Sequence, residues 1–252
     1  MDLSPPFLLS LLNGDSMIGS LINAAAILVG SGLGLSLRGG ISQRFRDTLT
    51  QGLALCVMLI GALGAIRTQD VLIPILCMVV GGLAGEAVNI EKRLQALGDN
   101  AQRLASRASR GGDVSGFSQG FVTASLVFCV GAMAIVGSLD SGLRGDHTTL
   151  IAKSALDGVT SIIFASTLGP GVALSALAVL LYQGAIALCA QQVAGLLTEP
   201  IILEMSAVGG LLIVGIGVNM LGLTKLRIGN LLPAIFLPPA CLPLMHWINQ
   251  LF

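Results

Sequence analysis

Charge is what this chain has least of. Asp, Glu, Lys and Arg make up 10% of its 252 residues, against about 25% in soluble domains. Aromatic residues are scarcer still at 4%, with one Trp and one Tyr. The 13 basic residues balance the 13 acidic ones, so there is no net positive field to draw in a nucleic acid. Patterns that carry chemistry are missing as well. The two histidines, His147 and His246, lie in different regions, and no HExxH, no GxxxxGK[ST] and no CxxC is present. The five cysteines (Cys56, Cys77, Cys129, Cys189 and Cys241) fall in apolar runs, as small hydrophobes do. An enzyme is therefore not expected, and neither is a metal or cofactor. Met1 to Ser16 lacks the basic start of a cleavable signal peptide, and the apolar run from Ile18 is long enough to remain as an anchor.

What the chain does have is apolar length. Hydrophobic residues make up 54% of it, and the mean hydropathy is +0.89. The 33 glycines suit helices that approach one another closely in lipid. Crossing the hydrocarbon core takes about 20 apolar residues, and eight segments qualify: 17–37, 49–66, 71–90, 117–138, 148–168, 171–197, 203–222 and 231–251. The expectation is an all-α, polytopic transmembrane helical bundle of about eight spans, or seven if one is only partly inserted. The fifth segment is the least hydrophobic and is expected to be either buried among the others or only partly inserted. The eighth holds Pro233, Pro238, Pro239 and Pro243, so it must be kinked or broken. Residues 1–16 form an N-terminal extension and 17–252 a single transmembrane domain.

Loop charges test this count. With eight spans, one side collects Arg38, Arg44, Arg46, Lys92, Arg93, Arg103, Arg107, Arg110, Lys225 and Arg227, and the other only Arg67 and Arg144. The positive-inside rule puts the basic side in the cytoplasm and both termini outside. Removing one span would scramble that segregation. The loop 91–116 then becomes a basic cytoplasmic segment, opening with an amphipathic stretch suited to an anionic lipid surface.

The stretch Ser138 to Pro170 concentrates the polar residues. Asp140, Arg144 and Asp146 are expected in a short outer loop, the two acids as helix caps or as a cation-attracting mouth. Lys153 and Asp157 lie four apart, so on a helix they share a face. An ionisable pair inside a span is costly and points to function, unless it is a mutually neutralised structural pair. The hydroxyls of Ser154, Thr160, Ser161, Ser166 and Thr167 either line a polar path or bond their own helix carbonyls. Glu86 is either an ion-binding carboxylate or a partner for a loop arginine. Asn23, Gln183, Asn219 and Asn230 are amides in or beside apolar runs, suited to interhelical hydrogen bonds or to substrate coordination.

Weak internal similarities are also present. Val29-Gly30-Ser31 through Gly34 matches Val80-Gly81-Gly82 through Gly85, Gln51-Gly52-Leu53 matches Gln119-Gly120-Phe121, and the seventh segment resembles the second while running the other way. Repeated or inverted units build many secondary transporters.

More specific are four stretches: GGLAGEAVNIEKRL (81–94), FVTASLVFCVGAMAIVGSLDSGLRGD (121–146), LIAKSALDGVTSIIFASTLG (150–169) and SAVGGLLIVGIGVN (206–219). Together with Met17–Gly34 and Asn230–Ala234 they resemble the YqgA-like bacterial inner-membrane proteins, the domain-of-unknown-function 554 family. The resemblance implies a one-domain protein of the cytoplasmic membrane and implies no activity. The residues themselves lead to two expectations. One is a secondary transporter or channel for a small cation or proton-coupled solute, with its site at Lys153, Asp157 and Glu86. The other is a non-transporting scaffold or signalling protein that acts through the basic loop. Membrane lipid is the expected surrounding. A homo-oligomer is expected too, because Gly30-xxx-Gly34 and Gly81-xxx-Gly85 suit contacts between protomers or within one.

Overall fold

A computed structural model describes residues 14–40, 42–93, 96, 100, 103 and 117–251. The expected N-terminal extension and basic loop therefore lie mostly outside the described residues. All regular elements among those described are helical: α1 (Ile18–Arg38), α2 (Gln43–Ala65), α3 (Leu72–Val88), α4 (Phe117–Cys129), α5 (Ala132–Arg144), α6 (Thr148–Leu168), α7 (Gly171–Leu188), α8 (Glu199–Met220) and α9 (Pro238–Leu251), with short helical stretches at Gly14–Met17, at Ala190–Val193 and over 228–236.

Each of the eight apolar segments is occupied by a helix or a bent pair of helices. Among the described residues, five helices are long and apolar enough to cross a membrane alone, and the count reaches seven when the bent pairs α4–α5 and 228–236–α9 are each one span. The remaining segment, α3, has 17 residues, about 26 Å at 1.5 Å per residue, a little short of a typical core.

The prolines break the eighth segment as expected, with a bend of 52°. The fourth is broken too, by 63°, although it holds no proline. Here Gly131 adopts φ +137°, which an L side chain rarely tolerates, and the helix restarts in a new direction. Its second half runs on to Arg144, so Asp140 and Arg144 are helical and only Asp146 sits in the connecting loop. The sixth segment is also shorter than expected, turning at Cys189 after α7.

The most enclosed helix is α8, with 78% of its apolar window buried, whereas α6 is 39% buried. Of the two expectations for the fifth segment, burial among the others holds for one face of α6 only. The reason lies in the residue pattern. Apolar on every side, α8 belongs in the centre. On α6 the polar residues Lys153, Ser154, Asp157 and Ser161 are buried, while Ile151, Leu156, Val159 and Ile163 are exposed. Its low hydropathy thus comes from an inward polar stripe, and its outer face is as oily as any neighbour's.

Glycines set the closest helix contacts. A Cβ on Gly30 of α1 would lie 2.2 Å from the Gly158 carbonyl oxygen of α6, and one on Gly34 would lie 2.2 Å from that of Ile162. Gly61 of α2 and Gly210 of α8 meet in the same way, as do Gly85 of α3 and the Asn230 carbonyl. Both small-xxx-small motifs are therefore used inside the chain, and any contact between protomers falls to other faces. The order of these contacts gives helix directions. Residues 19, 30 and 34 of α1 meet 150, 158 and 162 of α6, so the two run parallel. Residues 61, 64 and 217 meet 210, 206 and 58, so α2 and α8 run antiparallel. Both directions agree with an alternation of eight segments.

Candidate functional site

The polar stripe of α6 carries the site. Lys153 and Asp157 are 6% and 7% exposed, and the Lys153 ammonium donates to the Asp157 carboxylate as an ion pair. Two further helices reach the same carboxylate. Asn23 of α1, fully buried, donates its Nδ2 to Asp157 Oδ2 at 3.0 Å and to Gln183 Oε1 of α7 at 3.2 Å. Four of the residues singled out from the sequence thus form one network joining α1, α6 and α7.

That network is not closed. An ionised carboxylate only accepts, so Asn23 must face it with its NH2 group, which leaves Asn23 Oδ1 without a donor. Gln183 Nε2 and Ser20 Oγ are likewise buried without partners. Buried polar atoms are nearly always paired, by protein or by water. An orphaned acceptor and orphaned donors beside a buried carboxylate are what a site for a water, a proton carrier or a small ligand would contain.

A cavity of about 400 Å³ reaches the pair from the other flank. Lys153, Asp157 and Thr160 form one wall and the break Val130–Gly131 another, with Arg67 of the α2–α3 loop and Ser206 of α8 completing it. Ser206 is 4% exposed and its hydroxyl has no partner. Asp157 lies about 14 Å along α6 from Thr148, near the middle of a bilayer-length helix. The α6 hydroxyls bond their own helix: Ser154, Thr160 and Ser161 donate to the carbonyls of Leu150, Leu156 and Gly158, and Ser166 and Thr167 to those of Ile163 and Phe164; of these five, Thr160 alone lines the cavity.

The remaining expected residues lie elsewhere. Glu86 pairs with Arg227 at 2.7 Å and accepts from Asn230 Nδ2 at 2.5 Å. Asn230 Oδ1 accepts the Glu91 N–H at 2.7 Å. This cluster ties the end of α3 to the start of the eighth segment and stands apart from Lys153. Asn219 holds its own loop, bonding the backbone of Leu226 twice at 2.8 Å. Beside it a cavity of about 900 Å³ is lined by Lys92, Lys225 and Arg227, so three residues of the basic side share one end of the bundle. Asp140 pairs with Arg144 at 3.5 Å. Asp146 accepts the Thr148 N–H at 3.0 Å, and the Thr148 hydroxyl and N–H hold its carboxyl below the usual carboxylate range. Neither acid lines the 400 Å³ cavity.

Two features escaped the sequence reasoning. Glu204 of α8 is 1% exposed and accepts from Thr68 Oγ1 and Gln69 N at 2.7 Å each. An acid inside an apolar run was the available signal, the same one that marked Asp157. The run 116–120 also spells GxSxG, the pattern of a hydrolase nucleophile elbow, which needs a strand before the serine. Ser118 instead sits in the first turn of α4, with no strand among the described residues, and His147 is bonded to Ser141 at 2.8 Å.

A bundle of apolar helices with oily outer faces and a buried charged network defines an integral membrane protein. A family model described as "Protein of unknown function (DUF554)" matches residues 18–242. The chain belongs to that family. It is 35% identical over 235 residues to "Uncharacterized membrane protein YdfK" of Bacillus subtilis (strain 168), covering 91% of this chain and 97% of that protein. It is 33% identical over 221 residues to "Uncharacterized protein YqgA" of Escherichia coli (strain K12), covering 88% and 94%. No solved structure matches.

Proposed function

We propose that this is a secondary transporter or channel of the bacterial cytoplasmic membrane, with both termini outside, moving a small cation or a proton-coupled solute through the Lys153–Asp157 site. The observation that carries this is the open network: a buried ion pair whose surrounding amides keep unpartnered atoms, on the wall of a cavity at a broken helix. Discontinuous helices near mid-membrane are a recurrent way of building substrate and ion sites, because their freed backbone groups need a polar neighbour. Asp157 is the group that changes charge in the cycle. When it takes up a proton or cation, Lys153 is released and Asn23 is free to turn.

The test is current from purified protein in liposomes on a solid-supported membrane. Gradients of protons, sodium, potassium, magnesium and a few organic anions are applied in turn, with a pH-dye assay to catch electroneutral exchange. A signal from one gradient, lost in Asp157→Asn while the protein stays folded, is the expected result. The exchange Lys153→Asp with Asp157→Lys adds a second arm, because a purely structural pair tolerates reversal and a transport site does not. Silence in both assays with intact protein refutes transport and favours a scaffold acting through the basic loop.

A further inference from the structure

The cavity beside the ion pair carries more information than the pair does. Its charged groups are Arg67, Lys153 and Asp157, two cations against one anion. Arg67 is exposed, and among the described residues its guanidinium makes no ion pair. The third polar contribution is the N-terminus of α5: residues Gly131 to Ala134 line the cavity. The first N–H groups of a helix lack i→i−4 partners and carry the positive end of its dipole; here the Ala134 N–H turns back to the Gly131 carbonyl at 3.1 Å, which leaves those of Ala132 and Met133 to the cavity. The Ser206 hydroxyl, buried and unpartnered, is a further donor. The rest of the wall is apolar, with Leu63, Phe128, Met133 and Ile213. A net positive site made of donors on an oily pocket suits an anion with a small apolar body, and a bare metal cation finds a poor match there.

We propose that the cavity takes a small organic monoanion, a short-chain carboxylate. Arg67 and Lys153 hold its charge with help from the α5 N-terminus, and a proton is loaded with it on Asp157. This rests on the transport reading above and names its substrate class. The coupling follows from charge counting. With Asp157 ionised, Lys153 is already satisfied and the cavity presents one net positive charge; with Asp157 protonated, Lys153 is released and it presents two. Proton and anion therefore favour each other's binding, and the loaded site returns to the charge it had when empty. Several groups surround Asp157. Lys153 lies on its own helix, and the Cys129 thiol ends α4 with the Tyr182 phenol of α7 beyond it. α1, α7 and α8 bring the neutral Asn23, Gln183 and Ser206.

The test is uptake of radiolabelled pyruvate and lactate by proteoliposomes of the full chain under an inward proton gradient, with the neutral amide of each acid and sodium as comparison solutes. Counterflow is measured separately at equal pH. The expected result is gradient-driven uptake of the acids and not of the amides. Arg67→Gln, at the rim and tolerant of change, should raise KM at least 10-fold. Asp157→Asn should keep pyruvate counterflow while losing its proton dependence. Transport of sodium or protons that the acids neither accompany nor stimulate overturns the anion assignment and leaves the transport reading standing. Absence of any solute or proton movement by folded protein overturns both.

Discussion

Gly30 and Gly32 offer an internally controlled test of the packing, two residues apart on α1. A Cβ on Gly30 would sit 2.2 Å from the Gly158 carbonyl and from Ser161 Oγ, while one on Gly32 would meet nothing within 4 Å. Reaching ordinary contact at about 3.5 Å requires α1 and α6 to part by about 1.3 Å. Overpacking of this kind costs about 1–3 kcal/mol. The helix-propensity gain of Gly→Ala, up to about 1 kcal/mol, is common to both variants and cancels in the comparison. At about 2–4 °C per kcal/mol for a chain of this size, Gly30→Ala should melt about 2–12 °C below Gly32→Ala. In a Cys56→Ser, Cys189→Ser background, which removes the two exposed thiols, a thiol-reactive fluorogenic dye reads the transition through the buried Cys77. Parting α1 from α6 also draws Asn23 away from Asp157, so transport by Gly30→Ala should fall at temperatures where the protein is still folded. Equal melting of the two variants would refute the α1–α6 contact, and so would a destabilised Gly32→Ala beside an unchanged Gly30→Ala.

Four other outcomes are expected. Asp157→Leu leaves a buried ammonium unpaired and should destabilise by about 3–5 kcal/mol, whereas adding Lys153→Met should recover most of that loss; thermal melts check both. Glu204→Gln weakens hydrogen bonds worth about 1.5–3 kcal/mol each, so amide exchange in residues 66–71 should quicken about tenfold or more by mass spectrometry. The Asp146 carboxyl has a lower pKa folded than unfolded. Its contribution to the start of α6 is therefore full above about pH 4 and is lost as pH falls through the folded value, which NMR titration of labelled aspartate follows. Cysteines at Arg44 and Arg227 should label from one side of the membrane and a cysteine at Arg144 from the other.

The bundle was legible because its signals are local. An apolar run of about twenty residues, a cluster of prolines, and the spacing of Lys153 and Asp157 each lie within one helix. The site was only half legible for the complementary reason. Asn23 and Gln183 could be marked as suspicious amides, yet nothing local joins Asn23 to a carboxylate 134 residues away or to an amide 160 residues away. The break at Gly131 was hidden by abundance: one glycine among 33 carries no mark until its backbone is known. Glu86 was visible as an acid, but its fate depended on Arg227 arriving from the far end of the chain.

The inward polar stripe of α6 also bears on how the protein is made. On insertion scales its eight apolar residues (Leu150, Ile151, Leu156, Val159, Ile162, Ile163, Phe164 and Leu168) return about 2.4–4.8 kcal/mol, while Lys153 and Asp157 together cost about 5–7 kcal/mol when taken singly. Left to itself, this helix would hesitate at the translocon. It is synthesised after α1, the parallel neighbour whose Asn23 and close glycine seam receive it. The first span thus acts as a docking guide for the fifth, and the chain's order of emergence becomes part of its folding instructions.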